Sequence, residues 1–193
     1  MKIYLLRHTS LNVPADTFYG QSDVDVSSNF MNEVRDIKVK LKQENINFKN
    51  IASFSSPLKR CTKLAAQICE NYKIDERLKE LYFGDWELKP FSKISRKEIK
   101  KWQDNLMNYK IPNGESNSEF FKRLESFCRE IILSCKNDIF IVAHAGSINC
   151  ILSCLSKIPF DKLVEENWKK IGYGSLTLIK KNFSKFTIEF IGH

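Results

Sequence analysis

The chain has 193 residues, enough to bury a core without disulfides or a structural metal, and this length predicts a single domain over residues 1–193. Hydrophobic residues make up 42% and charged residues 28%, a balance that excludes a disordered or collagen-like chain. The net charge of +8 comes from basic residues spread in blocks no longer than a pair, which favours a lysine-rich surface over a nucleic-acid interface.

Strand and helix patterns alternate along the chain. The predicted strands are residues 2–7, 51–54 and 138–143, followed by an antiparallel hairpin of 176–180 with 185–191. The predicted helices are 27–44 with Ser27 as N-cap, 57–72 with Pro57 in the first turn, 94–109, 116–135 with Ser116 and Glu119 as a capping box, and 146–155. This alternation predicts a three-layer α/β/α sandwich with a mainly parallel central sheet and an antiparallel edge strand. Such sheets bind ligands beyond the carboxyl ends of their strands.

Two of the three histidines follow predicted strands directly, in residues 3–8 (IYLLRH) and 139–144 (IFIVAH). A lone histidine in such a place is usually structural, but two in the same topological position indicate a site. Arg7 precedes the first, and Arg60 lies early in the helix after residues 54–59. Arginines make bidentate contacts with phosphate oxygens, so this set suits a phosphoryl group. The positive charges would lower the pKa of His8 and keep it neutral, as a nucleophile requires.

Four motifs extend this pattern along the chain: LRHT (6–9), SSPLKR (55–60), LKELYFG (78–84) and VAHAG (142–146). In order and spacing they resemble the histidine phosphatase (phosphoglycerate-mutase-like) superfamily. The resemblance implies that His8 attacks phosphorus, that Arg7, Arg60 and His144 hold the phosphoryl oxygens, and that Glu80 protonates the leaving oxygen. It implies a metal-independent phosphatase with no cofactor.

Glu80 lies in a loop rich in aromatic residues and acids, and burial there would favour the protonated form that an acid catalyst needs. The alternative is a solvated surface carboxylate. The superfamily pattern also has a glycine after the nucleophile and an asparagine six positions beyond it, where this chain has Thr9 and Pro14. One phosphate contact is therefore unassigned. The Thr9 hydroxyl or the Gln21 amide could replace it, although the loop that holds Gln21 could equally be an ordinary turn.

Within the superfamily, residues 19–23 (YGQSD), 83–87 (FGDWE) and 111–116 (IPNGES) resemble the α-ribazole phosphatases of cobalamin nucleotide-loop assembly. This resemblance implies a small-molecule phosphomonoester, α-ribazole 5′-phosphate or a cobamide 5′-phosphate, as substrate. The alternatives are a broad-specificity phosphatase, a phosphoglycerate-mutase-like enzyme and, from a different class, a catalytically idle basic phosphate-binding module. Residues 23–26 (DVDV) imitate the signature of magnesium-dependent aspartyl phosphatases, but they follow a turn-like stretch rather than a buried strand.

The cellular location is predicted from cysteine spacing and apolar runs. The six cysteines form no C-x-x-C pair, and the N-terminal apolar run 3–6 is too short for a signal peptide. The longest uncharged stretch, 139–156, contains several polar residues and is a poor membrane span. We therefore expect a cytoplasmic protein with reduced thiols and with no membrane or nucleic-acid partner.

Overall fold

The computed structural model describes residues 1–14, 16–167 and 169–193, and in this part of the chain six strands form one sheet. Along the chain the strands are β1 (Lys2–Arg7), β2 (Ala52–Ser55), β3 (Lys73–Ile74), β4 (Ile139–Ala143), β5 (Leu176–Asn182) and β6 (Lys185–Phe190). Their order in the sheet is β3-β2-β4-β1-β5-β6. The first four strands pair in parallel, whereas β5 runs antiparallel to β1 and β6 antiparallel to β5. The predicted parallel sheet with an antiparallel edge is confirmed.

The helices are α1 (Phe30–Gln43), α2 (Lys59–Ile68), α3 (Arg96–Asp104), α4 (Asn117–Phe127), α5 (Ala145–Ser156) and α6 (Phe160–Asn167). A π-helical turn, Cys128–Ile132, continues directly from α4. None of the helices formed by the described residues combines the length and the apolar character that crossing a membrane requires.

Strand β1 shows why the fold has three layers. Its side chains alternate between faces, so Tyr4 and Leu6 pack with α1 and α2 while Ile3 and Leu5 pack with α4 and α5 on the other side. Burying each of the three aliphatic side chains among them contributes about 1.5–3 kcal/mol. A strand that is apolar on both faces is stable only between two helical layers, which is the predicted sandwich.

The strand register determines where the chain leaves the sheet. Arg7 of β1 aligns with Ala143 of the parallel strand β4, so the next residues, His8 and His144, emerge side by side. Strand β2 pairs in parallel with the other edge of β4, which brings Ser56 to the same place. The carboxyl ends of three strands therefore meet at one point.

The predicted start of the first long helix is wrong. Helix α1 begins at Phe30, with Asn29 rather than Ser27 as N-cap. The Ser27 hydroxyl lies 2.7 Å from the Ser10 hydroxyl and accepts from the Asn29 N–H. Ser27 thus connects the loop after β1 to the turn before α1.

The second predicted helix is too long at its C-terminal end. Helix α2 stops at Ile68, and Cys69 is already extended (φ −115°, ψ 126°). Cys69 remains buried, so the apolar pattern continues past the helix end and conceals it. The chain then forms the two-residue strand β3 against β2, which the sequence did not predict.

The remaining predicted elements exist with shifted bounds. Helix α3 is shorter than predicted at both ends: Ser95, which accepts from the Glu98 N–H, caps its start, and it ends at Asp104. The capping box of Ser116 and Glu119 at the start of α4 is confirmed. Helix α6, which follows Pro159, was not predicted; its eight residues are too few for a clear helical period.

Candidate active site

His8 and His144 form the centre of the site, at the ends of the neighbouring strands β1 and β4. The backbone N–H of His8 donates to the Ala143 carbonyl at 3.1 Å, and the centroids of the two imidazole rings are 5.2 Å apart. Both residues are 1% exposed. The register of the parallel pair therefore brings together the two histidines that the sequence singled out.

The hydrogen bonds of His8 identify its free nitrogen. Nδ1 lies 2.8 Å from the Thr9 carbonyl oxygen, and because a carbonyl only accepts, Nδ1 carries the proton. This leaves a lone pair on Nε2. Burial, followed by the charges of Arg60 and Arg7, holds the pKa of His8 well below its usual value. His8 is thus a neutral imidazole with one nitrogen available for attack.

His144 is held from both sides. The Arg60 Nε–H donates to His144 Nδ1 at 3.2 Å, so His144 Nε2 carries the proton and donates to the Ser56 hydroxyl at 2.8 Å. Burial and then the Arg60 charge hold the pKa of His144 well below its usual value. The Cys61 thiol lies 3.5 Å from Nε2, and burial raises its pKa to about 12. Cys61 therefore stays a thiol and is no competing nucleophile.

Arg60 is completely buried and is shared between the site and a loop. Besides its bond to His144, its Nη1 donates to the Ser22 carbonyl at 2.9 Å and its Nη2 to the Gly20 carbonyl at 2.6 Å. These bonds use three of the five guanidinium N–H groups. Arg60 thus anchors the predicted loop 19–23 beside the histidines and keeps two N–H groups for another acceptor.

Arg7 lies on the other side of His8. Its Nη1 donates to the Ile171 carbonyl at 2.7 Å, and its guanidinium lies 4.2 Å from the ring centroid of Tyr173. Among the described residues, three buried donors around this point have no hydrogen-bond partner: Arg7 Nε, Thr9 Oγ1 and Ser175 Oγ. A buried unpaired donor costs about 1–3 kcal/mol. Each of these three groups can donate to an anion bound beside His8.

Glu80 lies at the N-terminus of α5. Its carboxylate accepts from the N–H groups of Leu81 and Gly146, each at 2.9 Å. Burial raises the pKa of Glu80, and these hydrogen bonds and the charges of Arg60 and Arg7 oppose the shift only in part. The environment thus favours the protonated acid more than water would, and Glu80 is not the solvated surface carboxylate of the alternative prediction.

The loop that holds Gln21 packs against the Glu80 segment. Gln21 Nε2 donates to the Glu80 carbonyl at 3.1 Å, and the Gln21 N–H donates to a Glu87 carboxylate oxygen at 2.7 Å. Asp23, of the imitated aspartyl-phosphatase signature, instead accepts from the Lys59 N–H at 2.7 Å and is about half exposed. The structure brings Gln21 to the site and leaves Asp23 on the surface.

Two tyrosines in the site were not predicted from the sequence. Tyr19 belongs to the loop that was singled out for Gln21, and Tyr173 comes from the turn before β5. The Tyr173 ring centroid is 5.6 Å and the Tyr19 ring centroid 6.5 Å from that of His8. Because β5 is antiparallel to β1, its amino end lies at the edge where the parallel strands end. A residue that precedes an antiparallel strand therefore reaches the same edge as residues that follow parallel strands, and the pattern of strand ends alone does not reveal it.

An apolar pocket of about 260 Å³ opens beside Glu80 and Gly146. Aromatic and aliphatic side chains from the loops, α3, α4 and α6 form most of its wall. The main contributors are Phe18, Leu81, Phe83, Trp102, Phe120, Phe160 and Val164. Among the described residues that line it, none is a lysine or an arginine. The pocket is therefore suited to an uncharged ring system.

Comparisons with known proteins show what this chain is similar to. The family model described as the histidine phosphatase superfamily (branch 1) matches residues 3–192. A Hydrogenobacter thermophilus protein provisionally named phosphoserine phosphatase 2 is 30% identical over 170 residues, covering 84% of this chain and 82% of that protein. The adenosylcobalamin/alpha-ribazole phosphatase of Salmonella typhimurium is 24% identical over 170 residues, covering 82% and 81% respectively. The alpha-ribazole phosphatase structure from Shigella flexneri has the same fold, with a TM-score of 0.84 and 20% identity over 100% of this chain and 96% of that chain.

Proposed function

This chain belongs to the histidine phosphatase superfamily, and we propose that its substrate is α-ribazole 5′-phosphate or the corresponding 5′-phosphate of a cobamide. Its named relatives are phosphatases, and the chain is a phosphatase of this superfamily. The proposal concerns the substrate and the roles of individual residues. The apolar pocket beside Glu80 is the observation that supports this choice of substrate.

In the first step, His8 Nε2 attacks phosphorus, and the P–N bond forms as the bond from phosphorus to the 5′ oxygen breaks. Arg7 and the free N–H groups of Arg60 bind the non-bridging oxygens, where the transition state spreads its charge. His144 binds one of these oxygens by exchanging the hydrogen bond that its Nε2–H makes with the Ser56 hydroxyl. Glu80 donates its proton to the departing 5′ oxygen. An alkoxide is a poor leaving group, so a primary alkyl phosphate depends on such an acid.

In the second step, water attacks the phosphorus of the phosphohistidine and the P–N bond breaks. The Glu80 carboxylate accepts the water proton, which returns Glu80 to its acid form. The products are orthophosphate and neutral His8, so atoms and charge balance over the two steps. Protein side chains supply the positive charge and the proton, and the scheme uses no metal or cofactor.

The position of the pocket indicates which part of the substrate it would bind. Glu80 must touch the leaving oxygen, and the pocket opens beside Glu80, so the pocket lies on the side of the departing alcohol. In α-ribazole that alcohol carries an uncharged dimethylbenzimidazole. The pocket is slightly smaller than the ~300–1,000 Å³ of typical ligand sites, which suits one bicyclic ring better than a whole cobamide.

Phosphoserine is the second candidate, supported by the relative at 30% identity. Its leaving alcohol carries an ammonium and a carboxylate group. The described lining of the pocket offers the carboxylate of Glu80 but no lysine or arginine to pair with the substrate carboxylate. Burying an unpaired charge is costly, and the pocket therefore favours the aromatic alcohol.

A specificity panel tests the proposal. We expect kcat/KM for α-ribazole 5′-phosphate to exceed that for phosphoserine, 3-phosphoglycerate and fructose 2,6-bisphosphate, measured in one buffer. If any of these is hydrolysed tenfold more efficiently, the α-ribazole assignment is wrong. Equal efficiencies would indicate a broad-specificity phosphatase. Phosphate binding without turnover of any ester would indicate the idle module.

A variant that fills the pocket separates its role from that of the phosphoryl site. Val164→Phe adds a ring at the pocket wall and should lower kcat/KM for α-ribazole 5′-phosphate while sparing phosphoserine, whose small alcohol carries no ring. Val39→Phe, the same change at a position of α1 that is 54% exposed, is the matched control. An unchanged preference in Val164→Phe would mean that the alcohol does not bind in this pocket.

A further inference from the structure

Tyr19 and Tyr173 meet beside the His8 ring although they lie 154 positions apart in the chain. Their hydroxyl oxygens are 2.8 Å apart, and Arg7 Nη2 lies 3.4 Å from the Tyr19 oxygen. The Arg7 guanidinium packs on the face of the Tyr173 ring, and that of Arg60 lies 5.4 Å from the centroid of the Tyr19 ring. Both phenols are thus held in place by the two arginines assigned to the phosphoryl group.

One of the two phenolic O–H groups has no acceptor within this pair. The two phenols carry two O–H hydrogens, and their mutual bond uses only one of them. The neighbouring group is Arg7, which donates and cannot accept. Whichever phenol donates to the other, one O–H therefore has no acceptor in this contact. Unlike Arg7 Nε or Thr9 Oγ1, this hydroxyl pair can be reached by a ligand, because Tyr173 is 44% exposed and Tyr19 is only half-buried.

The Tyr19 phenol remains a donor at neutral pH. Burial is the largest influence on Tyr19 and raises its pKa above the ordinary value, which outweighs the Arg7 charge. A neutral hydroxyl donates to an anion, whereas a phenolate would repel it. Tyr19 therefore has the protonation state that a phosphoryl-binding group needs.

We propose that Tyr19 and Tyr173 bind a phosphoryl oxygen of the substrate beside His8. The two hydroxyls turn from each other towards that oxygen, so that their mutual bond is exchanged for charge-assisted bonds. This inference rests on the proposed attack by His8 and holds for any alcohol. Tyr19 also lines the apolar pocket, which places it between the phosphoryl group and the alcohol.

The test is the affinity of the protein for orthophosphate, measured by calorimetry and as a competitive inhibition constant against p-nitrophenyl phosphate. Tyr19→Phe and Tyr173→Phe each retain one hydroxyl, and each should weaken binding only about threefold. The double variant retains none and should weaken binding ~10–100-fold, which exceeds the product of the single effects. In that variant KM should rise with little change in kcat. All variants keep their rings and hence the packing of the two guanidinium groups against the ring faces.

Tyr72→Phe is the matched control, since it removes a phenol that donates to the Thr62 carbonyl at 3.4 Å, away from the site. It should bind orthophosphate as the wild type does. If the double variant also does so, or if either single variant is as impaired as the double, the two hydroxyls are not phosphoryl ligands. If the double variant fails to fold, orthophosphate added to the wild type must still change the tyrosine absorption, and no change refutes the inference.

The outcome is independent of the substrate assignment. A wild-type protein that binds orthophosphate but hydrolyses no α-ribazole 5′-phosphate contradicts the proposed substrate and leaves the tyrosine test intact. A protein that hydrolyses this substrate while its double variant keeps full affinity for orthophosphate contradicts the inference alone.

Discussion

Replacing Gly146 with alanine should disable the proposed general acid and leave the fold intact. A Cβ atom at this position would lie 2.3 Å from Glu80 Oε1, 3.0 Å from Glu80 Cδ and 3.1 Å from Phe120 Cε1. Ordinary contact distances are 3.4–4 Å, so the carboxylate must move by more than 1 Å. The same movement breaks the 2.9 Å hydrogen bond from the Gly146 N–H to Oε2. Misplacing a reacting group by about 1 Å costs ~10²-fold in rate.

The effect on stability should be small because two contributions oppose each other. Gly146 has no positive φ and lies in the first turn of α5, where alanine is favoured over glycine by about 0.8–1 kcal/mol. Losing the hydrogen bond to the carboxylate costs about 1.5–3 kcal/mol. The free energy of unfolding should therefore fall by no more than about 2 kcal/mol.

The assay compares two esters whose leaving groups differ. Hydrolysis of α-ribazole 5′-phosphate or another primary alkyl phosphate should slow ~10²-fold, whereas p-nitrophenyl phosphate, whose leaving group needs little protonation, should change less than about threefold. Gly172→Ala, with nothing within 4 Å of the added Cβ, is the matched control. Wild-type rates on both esters would refute the role of Glu80. Equal loss on both would mean that the methyl group only blocks the site.

Three further predictions follow from the site. Label from a phosphorylated substrate should map to His8 as an acid-labile, base-stable adduct. His8→Ala should abolish turnover, whereas a chelator should leave the wild type active. Label on Asp23, or strict magnesium dependence, would favour aspartyl-phosphatase chemistry. Glu80→Gln should slow alkyl esters ~10²–10⁴-fold and spare the nitrophenyl ester, measured as kcat on both. The folded-state pKa values of His8 and His144 lie below the unfolded value of about 6.5, so folding stability should be fully present above that pH and decline as the pH falls below it. Denaturant titrations of the wild type should show this decline, and His144→Gln, which cannot titrate, should reduce it.

The sequence was sufficient to predict that the two histidines at the centre of the site lie together. His8 and His144 follow strands, and once two strands are parallel and adjacent in register, the residues after them must emerge as neighbours. Glu80 was harder to interpret, because a carboxylate in a loop is usually solvated and its environment depends on the packing of α5. The structure supplies that information through the Gly146 N–H and the burial of the carboxylate.

The rest depends on contacts that no local pattern encodes. The donors of Arg60 bond to carbonyl groups of a loop about 40 positions earlier, and a backbone carbonyl carries no sequence signal. Tyr173 reaches the site only because β5 reverses direction relative to β1. Helix α2 ends where buried Cys69 still continues the apolar pattern. Each of these was missed because periodicity reports burial, and burial alone specifies neither a partner nor a strand direction.

The strand ends and the loops have different roles in the site. The strand ends position the groups proposed to handle the phosphoryl transfer. The fold itself tolerates wide changes in sequence, since it is shared at a TM-score of 0.84 with only 20% identity. The pocket that would receive the alcohol is built from loops and from α3, α4 and α6, outside the strand ends. Phosphatases with the same reaction can therefore differ in substrate through side chains such as Trp102, Phe160 and Val164 alone. Substrate must accordingly be argued from the pocket, because the histidines and arginines would be the same for α-ribazole 5′-phosphate and for phosphoserine.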